Sequence, residues 1–593
     1  MNRKLPLIHR GESGNMDFGA RVRTTTSSAG IMYFFFTVVI VFFLIMIVRL
    51  FQLTVVKGNY YRSLSEDNRI REVVIEAQRG RILDRRGYVL AENNAVEVTE
   101  SLQRQPSKRY YHDAAPFAHL LGYRQNANAA ELQADRCLHK ARLGDTVGKK
   151  GVEALFDCEL RGRNGKKLIE VNAQGLFKRT LNVVKPVPGT DVQLSVDSDL
   201  QRRAYEMLQA KNKKGVVVAI NPRNGEILTL TSFPSFDPQV FEDNDGKAIM
   251  ALFQDKNRPL FNRATEGTYP PGSVFKPVIA LAALEEGIID RRTIVQDTGR
   301  IELGDRSFGT WNYLEHSRTE GDVDVIKSLS RSNDIFYYKI SEKMGPDVMK
   351  RWSERFGFAK LTGIGIDEVA GTIPSPFWKQ DTLKEQWYTG DSYNFSIGQG
   401  YVLSTPLQVT LAMVPFANGG RYCKPTLVKQ GTPLASEPDC KPIKEITIEH
   451  LETIREGLLQ ACKVGGTGWP LFNFRIADKT KPSLTPPPAT GSAALTPQPS
   501  PTTLPIEKLW DPAYLTATSP ANLAYTKTVE LGCKTGTAES MPGRKPHAWF
   551  TVFAPYEDPE ILITVLFEEA GQGSEVAAPV ARELLRLYFE RVE

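Results

Sequence analysis

Three short clusters of hydroxyl, amine and carboxylate residues follow one another along the chain: Ser273-Val274-Phe275-Lys276, Ser332-Asn333-Asp334 and Lys534-Thr535-Gly536. A serine hydroxyl is a weak nucleophile at neutral pH and needs a base beside it. An amine can serve once burial has lowered its pKa, because a site of low dielectric disfavours the ammonium form. Ser273 follows Tyr269-Pro270-Pro271-Gly272, a turn signal. Apolar residues come next at Val274, Phe275, Val278, Ile279, Leu281, Ala282 and Leu284. The pattern predicts a helix that opens at the serine and ends near Gly287. Positions three apart share a helix face, so Lys276 is expected over Ser273. The N–H groups of the helix start would favour a developing oxyanion.

The second cluster opens another predicted helix, continued by Ile335-Phe336-Tyr337-Tyr338. Ser332 can relay a proton between Lys276 and a leaving amine, and Asp334 can hold Lys276 in place. Taken alone, the same residues read as a helix cap. In the third cluster, Lys534 offers a fixed positive charge for a carboxylate, and Thr535 and Thr537 add hydroxyl donors. Gly536 would let a substrate backbone lie close against the strand. Alone, this stretch reads as an edge strand with a solvated lysine. The ordered trio is what points to acyl transfer by a lysine-activated serine.

At these residues the chain closely resembles the class B penicillin-binding proteins, the monofunctional D,D-transpeptidases of bacterial cell walls. Further stretches resemble that family: Arg79-Gly80-Arg81-Ile82-Leu83-Asp84-Arg85-Arg86-Gly87, Gly151-Val152-Glu153 with Leu160-Arg161-Gly162, Gly398-Gln399-Gly400 with Thr405-Pro406-Leu407-Gln408, and His547-Ala548-Trp549-Phe550. The match runs from about residue 31 to about residue 590. The forms Tyr-Pro-Pro-Gly-Ser, Ser-x-Asp, Thr362-Gly363-Ile364-Gly365-Ile366-Asp367 and His-Ala-Trp-Phe most resemble the elongation branch, which builds the lateral wall of rod-shaped cells. The division-type branch is the nearer alternative.

The resemblance implies roles. Ser273 would attack the penultimate D-Ala carbonyl of a stem peptide ending in D-Ala-D-Ala, with Lys276 as general base. Ser332 and Lys534 would return the proton to the departing D-Ala, and Asp334 would hold Lys276. Backbone N–H groups of Ser273 and Thr537 would form the oxyanion hole. Lys534, Thr535, Gly536 and Thr537 would bind the terminal carboxylate region. An amine from a second stem peptide would resolve the acyl-enzyme into a crosslink, and β-lactams would acylate the same serine. The implied partner is a multispanning glycosyltransferase of the shape-elongation-division-sporulation (SEDS) family, with scaffold proteins of the elongation complex. No cofactor and no metal are implied by the quoted motifs. Some elongation-type relatives carry a zinc site, whose ligands have no match here.

These residues must be positioned by a multidomain chain. At 593 residues it exceeds one ordinary domain. Ile31 to Val48 is an uncharged apolar run, extended past Arg49 by Leu50 to Val56, long enough to cross a bilayer. It has no small-residue cleavage site and reads as an uncleaved signal anchor. Arg3, Lys4, Arg10, Arg21 and Arg23 precede it and favour a cytoplasmic N-terminus. The expected order is therefore a cytoplasmic tail to about residue 30, an anchor at 31–55, an extended β-rich pedestal at 56–190 and a transpeptidase domain at 191–593. Everything past the anchor is expected on the periplasmic side of the cytoplasmic (inner) membrane. The resemblance also implies a longer head in the pedestal than the few residues between Asn93 and His119 provide.

The predicted catalytic domain is α+β, a penicilloyl-serine transferase fold with helices covering a mostly antiparallel sheet. Strands are expected at 192–197, 215–220, 226–230, 548–553 and 561–567, and helices at 199–210 and 576–589. Residues 482–505 are rich in Pro, Ser and Thr and carry no charge, so an insertion at about 478–510 is expected to be disordered. Of the six cysteines, Cys423 with Cys440 and Cys137 with Cys158 can pair, while Cys462 and Cys533 can pair or stay as buried thiols. None forms a Cys-x-x-Cys pattern. His547 reads as a packed strand residue.

Composition narrows the function. The net charge of +6 is small for this length, and no basic-aromatic stripe is present, which argues against nucleic acid. A β-lactamase or β-lactam sensor would share the trio. A class A hydrolase also needs a carboxylate to activate water, and no Glu-x-x-Leu-Asn pattern occurs. A non-catalytic scaffold has no need of three intact motifs.

Overall fold

The computed structural model describes residues 28–67, 69–94, 107–172, 174–477, 506–511 and 526–590. The tail before residue 28 and the Pro/Ser/Thr-rich stretch 482–505 lie outside them. The chain divides into two compact units, Met1–Val73 with Lys166–Val183, and Val74–Gly165 with Val184–Glu593.

The first unit opens with helix α1, Ser28–Phe51. Its 24 residues rise about 36 Å at 1.5 Å each, enough for a hydrocarbon core of roughly 30 Å. Its large apolar side chains are exposed all round, as a lipid-facing helix requires. Gln52–Val56 forms a π-helical turn at its end. Beyond it stands a sheet in the order β1 (Ile70–Ile75), β2 (Gly165–Val171) and β3 (Phe177–Val184). Val73, Ile169 and Val171 are buried on one face of it, with Phe177 against them.

The second unit takes in 74–165, so most of the expected pedestal lies within the same unit as the catalytic sheet. Here a four-stranded sheet runs Arg109–Tyr111, Val89–Asn93, Ile82–Leu83, Val192–Gln193. Two of the motifs quoted above meet beneath it. Arg79 Nε lies 2.5 Å and Arg109 Nε 2.8 Å from the two carboxylate oxygens of Glu153, all three side chains being buried. A buried carboxylate is tolerable only with such partners. These motif residues therefore fold the chain rather than serve the reaction.

The catalytic sheet has five antiparallel strands in the order β5-β4-β8-β7-β6: β4 (Gly215–Ile220), β5 (Ile227–Phe233), β6 (Gly532–Ala538), β7 (His547–Ala554) and β8 (Ile561–Phe567). The period of two sorts its side chains. Val217, Ala219, Phe550, Val552, Ile563 and Val565 face one core with helices α2 (Ser198–Lys211) and α6 (Ala578–Glu590). Val216, Val218, Trp549, Phe553, Leu562 and Leu566 face the other. Both faces are covered, which explains strands that read as unbroken apolar runs. In the second core lies helix α3, Lys276–Glu285, of which all but the last residue is buried. The α+β architecture is as expected. α2, the hairpin of β4 and β5, and the two late strands fall where the apolar pattern put them.

All six cysteines are paired, as Cys137–Cys158, Cys423–Cys440 and Cys462–Cys533. Spacing leaves all three pairings open. The last joins the residue after helix α5 (Ile448–Ala461) to strand β6, beside Lys534.

Candidate active site

The nucleophile turn is held from several sides. Trp549 Nε1 donates to Pro270 O at 3.0 Å, and Tyr269 donates its hydroxyl to Glu568 at 2.7 Å. Gly272 takes φ +58, a left-handed conformation that costs glycine little, and its N–H donates to Gly398 O at 2.8 Å. Ser273 itself lies in a 3-10 turn, Gly272–Phe275, and α3 begins only at Lys276. The helix thus starts three residues later than expected, with Lys276 at its first position.

Ser332 adopts φ +56, sparsely populated for a residue with a side chain. The conformation is held because two lysines use both of its polar groups. Lys276 Nζ donates to Ser332 O at 2.8 Å, and Lys534 Nζ donates to Ser332 Oγ at 2.8 Å. Asn333 caps helix α4 (Asp334–Met344) by accepting from Phe336 N at 3.0 Å, and its amide donates to Asp297 at 2.9 Å. The cap reading therefore holds for Asn333, while its two neighbours turn toward the lysines. Asp334 Oδ1 sits 2.7 Å from Lys276 Nζ.

Strand β6 brings the third cluster. Lys534 is fully buried, and its amine also donates to Thr535 O at 3.1 Å. Thr535 Oγ1 donates to Thr467 Oγ1 at 2.7 Å. Gln399 clasps the end of the strand, donating to Thr537 O at 3.3 Å and accepting from Glu539 N at 3.2 Å.

These groups border one cleft of about 800 Å³, lined by Ser273, Ser332, Asp334, Thr467, Thr535 and Thr537 among others. Lys276, Lys534 and Gly536 lie beneath the lining. Lys276 hydrogen-bonds Asp334, the carboxylate expected to hold it, and Ser332 rather than Ser273, because a charge-assisted bond to a carboxylate outcompetes one to a neutral hydroxyl. The expectation for Gly536 is corrected. The open side of Gly536 faces the nucleophile turn rather than a substrate. A Cβ there would meet Trp549 Cβ at 2.9 Å, Val274 Cγ1 at 3.0 Å and Pro271 O at 3.3 Å.

The electrostatics run through the two amines. Burial lowers the Lys276 pKa, and the Asp334 carboxylate pushes it back up. Lys534 is held well below the ordinary lysine value, first by burial and then by the charge of Lys276. Lys276 Nζ lies 3.5 Å from Ser332 Oγ, so the two amines meet at one hydroxyl. His547 does not join them. Its ring stands edge-on to Tyr269 at 5.5 Å, and Nδ1 accepts from Glu569 N at 3.2 Å.

Thr467, Gln399, Trp311, Arg331 and Tyr338 line the cleft without having been read as site residues. Gly465-Gly466-Thr467-Gly468 carried the signal for Thr467, a turn-former pressed against β6. Among the described residues, one group has clustered metal-ligand atoms, Asp135 with Cys137 and Cys158, and its two sulfurs are joined to each other.

The fold and this cleft are those of a serine acyl-transferase. Comparison with known proteins identifies the group. Residues 215–480 and 514–586 match the penicillin-binding protein transpeptidase domain, and residues 100–194 match the penicillin-binding protein dimerisation domain. The chain belongs to the penicillin-binding protein transpeptidase family. It is 29% identical to the peptidoglycan D,D-transpeptidase MrdA of Haemophilus influenzae, over 92% of this chain and 89% of that protein. It is 31% identical to the MrdA of Acinetobacter baumannii, over 83% of this chain and 69% of that protein. The crystal structure of Pseudomonas aeruginosa PBP2 in complex with WCK 5153 superimposes with a TM-score of 0.67, at 29% identity, covering 87% of this chain and 96% of that one.

Proposed function

We propose that this chain is a peptidoglycan D,D-transpeptidase of lateral wall elongation, working through an acyl-enzyme on Ser273. The observation that carries the reading is the junction of Lys276, Ser332, Asp334 and Lys534 beneath a cleft that exposes Ser273. The Ser273 hydroxyl attacks the penultimate D-Ala carbonyl, and Lys276 takes its proton. The proton crosses Ser332 to the departing D-Ala amine, with Lys534 supporting the Ser332 hydroxyl. Asp334 orients Lys276. The N–H groups of Ser273 and Thr537 hold the oxyanion, and the Gln399 contact steadies the end of β6 that supplies the second. Thr535 and Thr537 meet the terminal carboxylate in the cleft, and Lys534 acts on it from below. The relatives named as peptidoglycan D,D-transpeptidases support this substrate.

The apolar α1 anchors the protein, and we place the catalytic unit on the periplasmic side, where the substrate lies. A relative from a solved peptidoglycan synthase complex that coordinates polymerization and crosslinking is 26% identical, with a TM-score of 0.66. It supports a partnership with a SEDS-family glycosyltransferase and elongation scaffold proteins.

The test is labelling with a fluorescent penicillin. Wild type is expected to form a long-lived adduct and Ser273→Ala none. Failure of wild type to label would favour a scaffold, and rapid drug turnover a β-lactamase. Fluorescent fusions are expected along the cylinder; confinement to mid-cell would favour the division branch.

A further inference from the structure

A second groove of about 850 Å³ adjoins the cleft. Tyr338, Gln399 and Glu539 line both spaces. Thr535, Thr537 and Glu539 alternate along extended backbone, so they share one face, and Glu539 stands about 7 Å beyond Thr537 at two residues of strand rise. Its backbone is fixed by the N–H bond to Gln399. The neighbouring carboxylates are engaged, Glu568 by Arg263 at 2.9 Å and by the Tyr269 hydroxyl, Glu569 by Arg544 at 2.8 Å. Glu539 is exposed, and among the described residues its carboxylate has no hydrogen bond or ion pair. Farther along the groove, Lys214 and Arg258 carry no ion pair among the described residues, the Arg258 guanidinium stacking on Phe261 at 4.2 Å.

We propose that this groove is the binding site for the acceptor peptide and that Glu539 binds its primary amine. The proposal rests on the transpeptidase reading above. An alkyl amine reaches the enzyme as an ammonium ion, its pKa being about 10. The free carboxylate draws that cation to the junction of the two spaces, next to the acyl-enzyme carbonyl. The ammonium loses one proton to water. The nitrogen pair attacks the carbonyl carbon, the C–N bond forms and the bond from carbon to Ser273 Oγ breaks. The second proton returns to Ser273 Oγ through Ser332 and Lys276. Glu539 remains ionised throughout and accepts a hydrogen bond from the attacking nitrogen. Lys214 and Arg258 face the carboxylates of the same peptide.

The test separates the two half-reactions in the full-length protein. The donor is a synthetic stem pentapeptide, and the acceptor is a stem peptide with a free side-chain amine or the same peptide with that amine acetylated. Mass spectrometry gives the ratio of crosslinked to hydrolysed product, and fluorescent penicillin gives the acylation rate. Glu539→Gln is expected to lower the ratio about tenfold through a higher acceptor KM, the size of one lost charge-assisted contact, with acylation within about twofold of wild type. Glu539→Asp restores much of the ratio. An unchanged ratio in Glu539→Gln overturns the proposal. So does parallel loss of acylation in Glu539→Gln and Glu539→Asp, which would put the residue on the donor side or in the fold. Absence of acylation in wild type would instead overturn the transpeptidase reading.

Discussion

Asp334 acts on Lys276 in two opposing ways. It orients the amine at 2.7 Å, and it raises a pKa that burial lowers. With Lys276 as the proposed general base, acylation requires it unprotonated, so the rate is expected to fall as pH drops through that pKa. Removing the carboxylate removes the raising influence, and the neutral fraction at any given pH increases. Asp334→Asn is therefore expected to move the acid limb of the acylation profile to lower pH. The plateau rate should fall by a factor of about 10² or more, because the base is no longer held. Stopped-flow acylation across pH reads both; a limb that stays put or moves upward would remove Asp334 from this role. The residue scale was the most legible. Ser273, Lys276, Ser332, Asp334, Lys534, Thr535, Gly536 and Thr537 were all marked by type and order. The pairing of Asp334 with Lys276 was marked as well; hidden were the bond of Lys276 to the Ser332 carbonyl and the facing of Gly536 toward the turn.

At the scale of elements, the nucleophile turn is gauged by its contact with β6. Gly536→Ala would place a methyl 2.9 Å from Trp549 Cβ and 3.0 Å from Val274 Cγ1. The overpacking should cost about 1–3 kcal/mol and slow acylation by displacing Ser273. Thermal melts and penicillin labelling of the variant measure the two; wild-type behaviour in both would mean the turn is not seated on this strand. A second element carries a pH signature. The helix Ala114–Leu121 carries the half-buried His119, whose Nε2 meets Pro259 O at 2.8 Å. Burial lowers its pKa from 6.5 to about 4. The folded protein then resists a proton that the unfolded chain accepts. Stability is full above pH 6.5 and falls as pH drops toward 4, by at most about 3 kcal/mol. His119→Gln should flatten that slope in Tm between pH 6.5 and 4; an unchanged slope would assign it to other groups. Helices and strands with strong apolar periods were legible in advance. The 3-10 turn at Ser273 was not, because its start is set by the packing of Pro271 and Gly272 against β6 and Gly398.

At the scale of the whole molecule, the chain has a helix long and apolar enough to cross a membrane and three disulfides. The Cys462–Cys533 bond closes a separation of 71 residues and ties α5 to the strand that carries Lys534. On the chain-entropy account such a loop contributes about 4 kcal/mol. The double variant Cys462→Ala with Cys533→Ala should melt at lower temperature. It should also acylate more slowly than a Cys423→Ala, Cys440→Ala control, since only the first pair adjoins the site. Equal acylation in both would separate this bond from catalysis. Three closed pairs also suit an oxidising compartment.

The order of three motifs, an apolar run of membrane length and strands buried on both faces are linear properties. Each is written in residue type and spacing over a few to about twenty positions, so the sequence alone determined the chemistry, the anchor and the α+β class. The side of each strand that faces the cleft, the bonds of the two lysines to Ser332, the pairing of the six cysteines and the meeting of Arg79, Arg109 and Glu153 depend on contacts between distant segments. Those were decided by the tertiary structure, because which buried amine stays neutral depends on the charges and carbonyls packed around it, and no local spacing encodes them.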